Sequence, residues 1–193
     1  MKTVLRLTFL LILLSAVLCG CGLFSTRPAE TPESGRSSWE TPRVPADVLT
    51  NMSNALFERN AVNYLRSFHQ EDFTFDADNV ALANDPTLAP WHYEQESRHI
   101  ISLLSEGTLP RDSLLFVIFT SPNPVSTPAD SADILTPYEI TAGVALAGAP
   151  HHMAGTAHFY LRMGSEGYWQ IYRWVDLRTQ DANTWSDLKS IVR

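Results

Sequence analysis

The apolar residues of this chain follow three successive spacings, and each predicts a different kind of segment. An apolar run from Leu7 to Leu18, relieved only by Thr8 and Ser15, follows the basic Lys2 and Arg6. At about a dozen residues it falls well short of the ~20 that a helix needs to cross a bilayer. Run and basic flank together have the layout of a signal peptide over residues 1–20. From Cys21 to Pro45 apolar positions thin out among Pro28, Pro32, Pro42 and many Ser, Thr and Glu. That composition cannot bury enough surface to offset the entropy of ordering, so a disordered tether is expected. Periodic apolar spacing begins at Ala46 and continues to Arg193, enough chain for one domain with a sizeable core.

Within the domain the first period is helical. Val48, Leu49, Met52, Ala55 and Leu56 lie one to four residues apart behind Pro45, which predicts a helix over 46–59. Asn60 is placed to cap a second, short helix with Val62, Leu65 and Phe68 on its apolar face. Phe73-Thr74-Phe75-Asp76 alternates as a short strand, and one helical turn is expected near Val80 to Asn84. A third main helix is predicted from Trp91 to about Ser105, stopped by Gly107. The period then falls to two over 113–120, 138–148, 152–163 and 168–177, with Gly164 to Gly167 as a hairpin turn. The Pro- and Ser-rich residues 122–136 read as a long exposed loop. Trp185, Leu188 and Ile191 behind a Thr184-to-Asp187 capping pattern predict a closing helix whose apolar stripe serves packing.

The two cysteines change the picture at the N-terminus. Leu18-Cys19-Gly20-Cys21 resembles the bacterial lipobox, in which a large aliphatic residue and two small ones precede the lipidated cysteine. Cys19 departs from the usual small residue, yet reading it as the acceptor would put Leu18 beside the cut; Cys21 is therefore the expected lipidation site. The resemblance implies a protein held by lipid in the cell envelope. Gly22, rather than Asp, resembles the default route to the outer membrane if the organism is Gram-negative. Both cysteines lie in this segment, so the domain contains no disulfide, thiolate metal site or cysteine nucleophile. Cleavage would leave 12 basic against 21 acidic residues, a net charge of −9, which works against nucleic acid as a partner.

Two N-terminal helices, an aromatic strand, a further helix and a run of long strands form an α+β pattern in which a curved antiparallel sheet wraps around helices. In Tyr64-Leu65, Phe68, Asp72-Phe73, Phe75 and Trp169-Gln170-Ile171, the order resembles the nuclear transport factor 2-like (SnoaL-like) superfamily. Ketosteroid isomerase and scytalone dehydratase share that cone-shaped fold. The ending Arg173-Trp174-Val175-Asp176 looks like the lipoproteins of that group. The resemblance implies a pocket between sheet and helices, but the superfamily holds enzymes, binding modules and assembly factors alike.

Candidate chemistry follows from that pocket. Asp76, Asp78 and Asp176 could face it as bases with Tyr64, Tyr160 or Tyr172 as donors; the same residues could equally be capping, solvent-facing or packing groups. Arg173 alternates with Trp169 and Ile171, so on a concave face it would suit a carboxylate ligand; otherwise it pairs with an acid of the chain. Tyr64, Asp76, Trp169 and Arg173 are the candidate ligand-binding residues. His92, Glu96 and His99 share a helix face, and His151, His152 and His158 form a second group, but neither has an established metal-ligand spacing and no metal is expected. No phosphate loop, serine elbow or nucleotide fingerprint occurs, so no cofactor is expected either. The leading expectation is a noncatalytic envelope domain binding a small apolar or carboxylated ligand or an envelope protein. The alternatives are an isomerase- or dehydratase-like enzyme and a structural module that forms a homodimer.

Overall fold

A computed structural model describes residues 37–193 apart from 123, 125–129, 144–145, 147, 149 and 180. The expected signal peptide, Cys21 and most of the tether lie outside the described residues. Helices α1 (Pro45–Phe57) and α2 (Ala61–Leu65) come first, the latter capped by the Asn60 side chain, which accepts from the Asn63 amide at 3.0 Å. Strand β1 (Thr74–Asp76) leads into α3 (Asn79–Asn84), whose first amides, Val80 and Ala81, donate to the Asp78 carboxylate at 3.0 and 3.1 Å. Strand β2 (Trp91–His92) runs directly into α4 (Tyr93–Leu103). Then follow β3 (Leu115–Phe119), β4 (Ser131–Ala142), β5 (His152–Met163), β6 (Trp169–Leu177) and α5 (Trp185–Ile191).

The six strands form one sheet in the order β2-β1-β6-β5-β4-β3. All neighbours pair antiparallel except β1 and β6, which are parallel, so the sheet is mixed rather than purely antiparallel. The crossover arises because β1 belongs to the helical half of the chain and adds to a strand formed far later. One face of the long strands is apolar and buried, with Ile134 and Ile140 from β4, Met153 and Phe159 from β5, and Trp174 from β6. Against that face pack Val48, Met52 and Leu56 of α1 and Ile100 and Leu103 of α4, all at 0–1 % exposure.

Two further expectations are corrected. Residues 37–44, expected within the tether, lie against the domain: Pro42 and Arg43 carbonyls accept from the Trp169 amide and indole at 3.2 Å each. The Arg66 guanidinium sits 3.4 Å above the Trp39 ring, so a few anchor groups suffice to hold a segment of tether composition. The expected loop over 122–136 ends at Ser131, where β4 begins. Pro137 is tolerated there because its carbonyl accepts from the Thr120 amide just past the end of β3, and its missing N–H faces that same side. The stripe of α5 does serve packing, and Lys189 is buried with it: Trp185, Leu188 and Lys189 are at 0–1 % exposure inside the domain.

Candidate functional site

The interior between sheet and helices holds charges as well as apolar groups. Glu96 falls on the buried stripe of α4 with His99, Ile100 and Leu103, and its side chain is fully buried. Its Oε1 accepts from the Tyr64 hydroxyl at 2.7 Å. Its Oε2 accepts from the Trp91 indole at 2.8 Å and from the Lys189 ammonium. Lys189 reaches it from α5, and its Nζ also lies 4.6 Å from the Phe75 ring centroid and 5.0 Å from those of Trp91 and Trp174. A carboxylate on one side and three ring faces on the others stand in for the water an ammonium loses on burial.

This arrangement sets the protonation states. Burial works to raise the Glu96 pKa, but the Lys189 charge and the surrounding donors outweigh it and hold the carboxyl below its usual range. Burial pulls the Lys189 ammonium down against the support of Glu96. Tyr64 is pushed well up by burial and by the adjacent Glu96 charge, so it remains a hydrogen-bond donor. His99 is lowered to about 4 by burial and by Lys189, and is neutral at neutral pH. Its Nδ1 lies 2.6 Å from the Val192 carbonyl, which fixes Nδ1 as the protonated nitrogen.

A second polar cluster ties the start of α5 to the sheet. Asp176 Oδ1 accepts from the Tyr138 hydroxyl at 2.7 Å, and Oδ2 from the Ser186 amide and hydroxyl at 2.8 and 2.6 Å. The Tyr138 oxygen in turn accepts from the Trp185 amide at 2.7 Å. Gly155 of the neighbouring strand makes room for that phenol; a Cβ there would stand 2.6 Å from its oxygen. Beside this pair, Asp78 accepts from Arg178 at 3.1 Å and from the Thr184 hydroxyl at 2.5 Å, and Arg178 also pairs with Asp187 at 2.7 Å. Burial raises the Asp176 pKa against the pull of the Ser186 and Tyr138 donors.

Of the four candidate ligand-binding residues, the structure brings Tyr64 into the interior and leaves the others elsewhere. Trp169 is buried with its indole donating to Arg43, away from Glu96's partners. Asp76 and Arg173 form an ion pair at 2.8 Å on the outer side, with side chains 45 % and 48 % exposed. The alternation that put Arg173 with Trp169 and Ile171 fails because Leu161 pairs with Ile171 while Tyr160 pairs with Arg173. Tyr172 is therefore the extra residue of a bulge, beyond which Trp174 and Asp176 turn inward and Arg173 outward. Because this pair is half-exposed, Arg173→Ala is expected to change unfolding stability by less than about 1 kcal/mol in urea titration.

Glu96 and His99 do share a helix face, but His92 is exposed, and Glu96 spends its oxygens on the phenol, indole and ammonium. Among the described residues no group of three or more His, Cys, Asp or Glu is placed to hold a metal ion. Lys189 and Trp91 escaped the sequence reading as site residues. The signal was present as a single lysine four residues after Trp185 on the buried stripe of the closing helix. A general base needs a carboxylate oxygen free to reach a substrate proton. Here every oxygen of Glu96 and Asp176 already accepts from the chain's own donors.

No protein-family model and no curated protein matches the sequence. Solved structures do match in shape. A candidate aromatic ring hydroxylase of Novosphingobium aromaticivorans is 14% identical, with a TM-score of 0.55 over 74% of this chain and 92% of that one. A nuclear transport factor 2-like superfamily protein of Salmonella enterica serovar Typhimurium is 10% identical, with a TM-score of 0.52 over 70% and 89%. An NTF2-like protein of Cytophaga hutchinsonii is 12% identical, with a TM-score of 0.50 over 69% and 93%. At such identities the likeness is one of fold, and the fold of this chain is that of the nuclear transport factor 2-like superfamily.

Proposed function

We propose that the chain is a lipid-anchored protein of the bacterial cell envelope whose cone-fold domain is noncatalytic and acts through its outer surface on an envelope protein partner. The observation that carries the reading is the filled interior: Trp185, Leu188 and Lys189 of α5 occupy the space between sheet and helices where a small ligand would enter. With Glu96, Asp176 and Asp78 all engaged by internal donors, a pocket base of the isomerase kind has no free oxygen. The protein-partner reading is therefore favoured over the small-ligand one. The outer face of β5 and β6 carries Tyr160, Arg162, Tyr172 and Arg173, half-buried or exposed, residue types that anchor protein interfaces. The anchor rests on the lipobox-like Leu18 to Cys21, since several acyl chains on one cysteine hold a protein on a membrane without a spanning helix.

The test is native mass spectrometry of the full chain released from the membranes of its native host. The expected mass is that of residues 21–193 plus lipid, with no further small molecule, and Cys21→Ser abolishes the lipid while Cys19→Ser retains it. A small molecule retained at reproducible mass would overturn the filled-interior reading, and a Cys21→Ser protein that keeps its lipid would overturn the anchor. A protein bound at fixed stoichiometry, and lost on Tyr160→Ala with Tyr172→Ala, would be the partner.

A further inference from the structure

We propose that the domain interior is a binding site for a primary ammonium group, and that Lys189 occupies it in the native chain as a tethered ligand. The groups that face the ammonium come from outside α5. Glu96 supplies the negative charge, Tyr64 and Trp91 orient it through its two oxygens, and Phe75, Trp91 and Trp174 turn their rings to the cation. All of these residues precede the closing helix, which contributes the cation and, through Trp185, a ring packed 4.7 Å from that of Trp174.

The box has a fixed shape because its walls are themselves packed. Trp174 lies between Phe68, Phe75, Phe159 and Trp185, with centroids 6.5, 5.0, 5.1 and 4.7 Å away. Tyr64 and Phe68 pack at 5.1 Å. Glu96 has two neutral donors, which orient but do not neutralise it, so a full positive charge completes the site. Lys189 itself enters the site as a compact ammonium on a straight alkyl stem. The ligand class is a linear primary alkylammonium. The inference depends on the filled interior alone and is independent of any envelope partner.

Lys189→Ala removes a stem and ammonium equivalent to n-propylammonium. The full chain carrying this substitution, purified in detergent, is followed by thermal unfolding with n-propylammonium chloride, with n-propanol and sodium chloride at matched concentration as references. The expected result is a Tm rise on the order of 5 °C at ligand about 100 times its Kd. Wild type, whose site is already filled, shows no such rise, and neither does Lys189→Ala combined with Glu96→Gln. Lys189→Met fills the space without charge and does not respond. If Lys189→Ala does not fold unaided, the same comparison is read as the fraction refolded from urea, with propylammonium raising it and propanol not. An equal effect of propanol, a response that survives Glu96→Gln, or no response in either readout would overturn the proposal.

Discussion

Lys189→Ala is expected to lower the unfolding free energy by about 3–5 kcal/mol, a large part of the 5–15 kcal/mol typical of a domain. The loss arises because Glu96, fully buried, keeps its own charge but loses the ammonium bonded to it. Glu96→Ala should cost a similar amount by stranding the ammonium among Phe75, Trp91 and Trp174. Replacing both together, Glu96→Leu with Lys189→Met, should recover most of the loss, since well-packed apolar pairs often match or exceed buried ion pairs. Urea unfolding of wild type, Glu96→Leu, Lys189→Met and the double variant measures this as a double-mutant cycle. Additive single losses, with no recovery in the double variant, would mean that the two side chains contribute separately and not as a pair.

Acid should weaken the domain in a window set by His99. In the unfolded chain its imidazole titrates near 6.5, whereas burial in the fold lowers it to about 4. Between these values the unfolded state binds the proton and the folded state does not, so stability rises with pH across the window. The contribution is fully present above about pH 6.5 and lost as pH falls toward 4, about 3 kcal/mol in all at 1.36 kcal/mol per pH unit. Asp78 and Glu96, whose pKa values are lowered in the fold, add acid sensitivity at lower pH, where unfolded carboxyls titrate. The measurement is urea stability from pH 7 to 4 for wild type and His99→Leu. The difference between them should vary with pH only over the His99 window; a constant difference would show that His99 binds its proton equally in the folded and unfolded states.

Much of the architecture was legible because local periods were strong. The five helices and the short aromatic strand at Phe75 follow from apolar spacing and caps such as Asn60, and the long strands 152–163 and 169–177 from alternation bounded by glycine turns. The fold family was legible from element order and aromatic placement. Beginning β4 at Ser131 was not, because Pro137 and its serine-rich approach carry turn chemistry that pairing with β5 overrides.

The candidate site was read less well, for reasons that lie outside any one segment. Tyr64 was identified as an interior donor, but its acceptor Glu96 stands 32 residues away and the cation Lys189 a further 93. Arg173 was set on a possible concave face by strict alternation, and a single extra residue at Tyr172 reverses the faces beyond it; Asp76 follows the buried Phe75 in β1 and so takes the outer face. By itself the sequence determined the helices, the alternating strands, the absence of cysteine beyond residue 21 and the lipobox-like pattern, since each depends on near neighbours or on counting. Only the tertiary structure decided that the closing helix fills the interior and that Glu96 and Lys189 neutralise one another there. Burial of a charge is stable only with a partner, and that partner is chosen by packing across the whole chain.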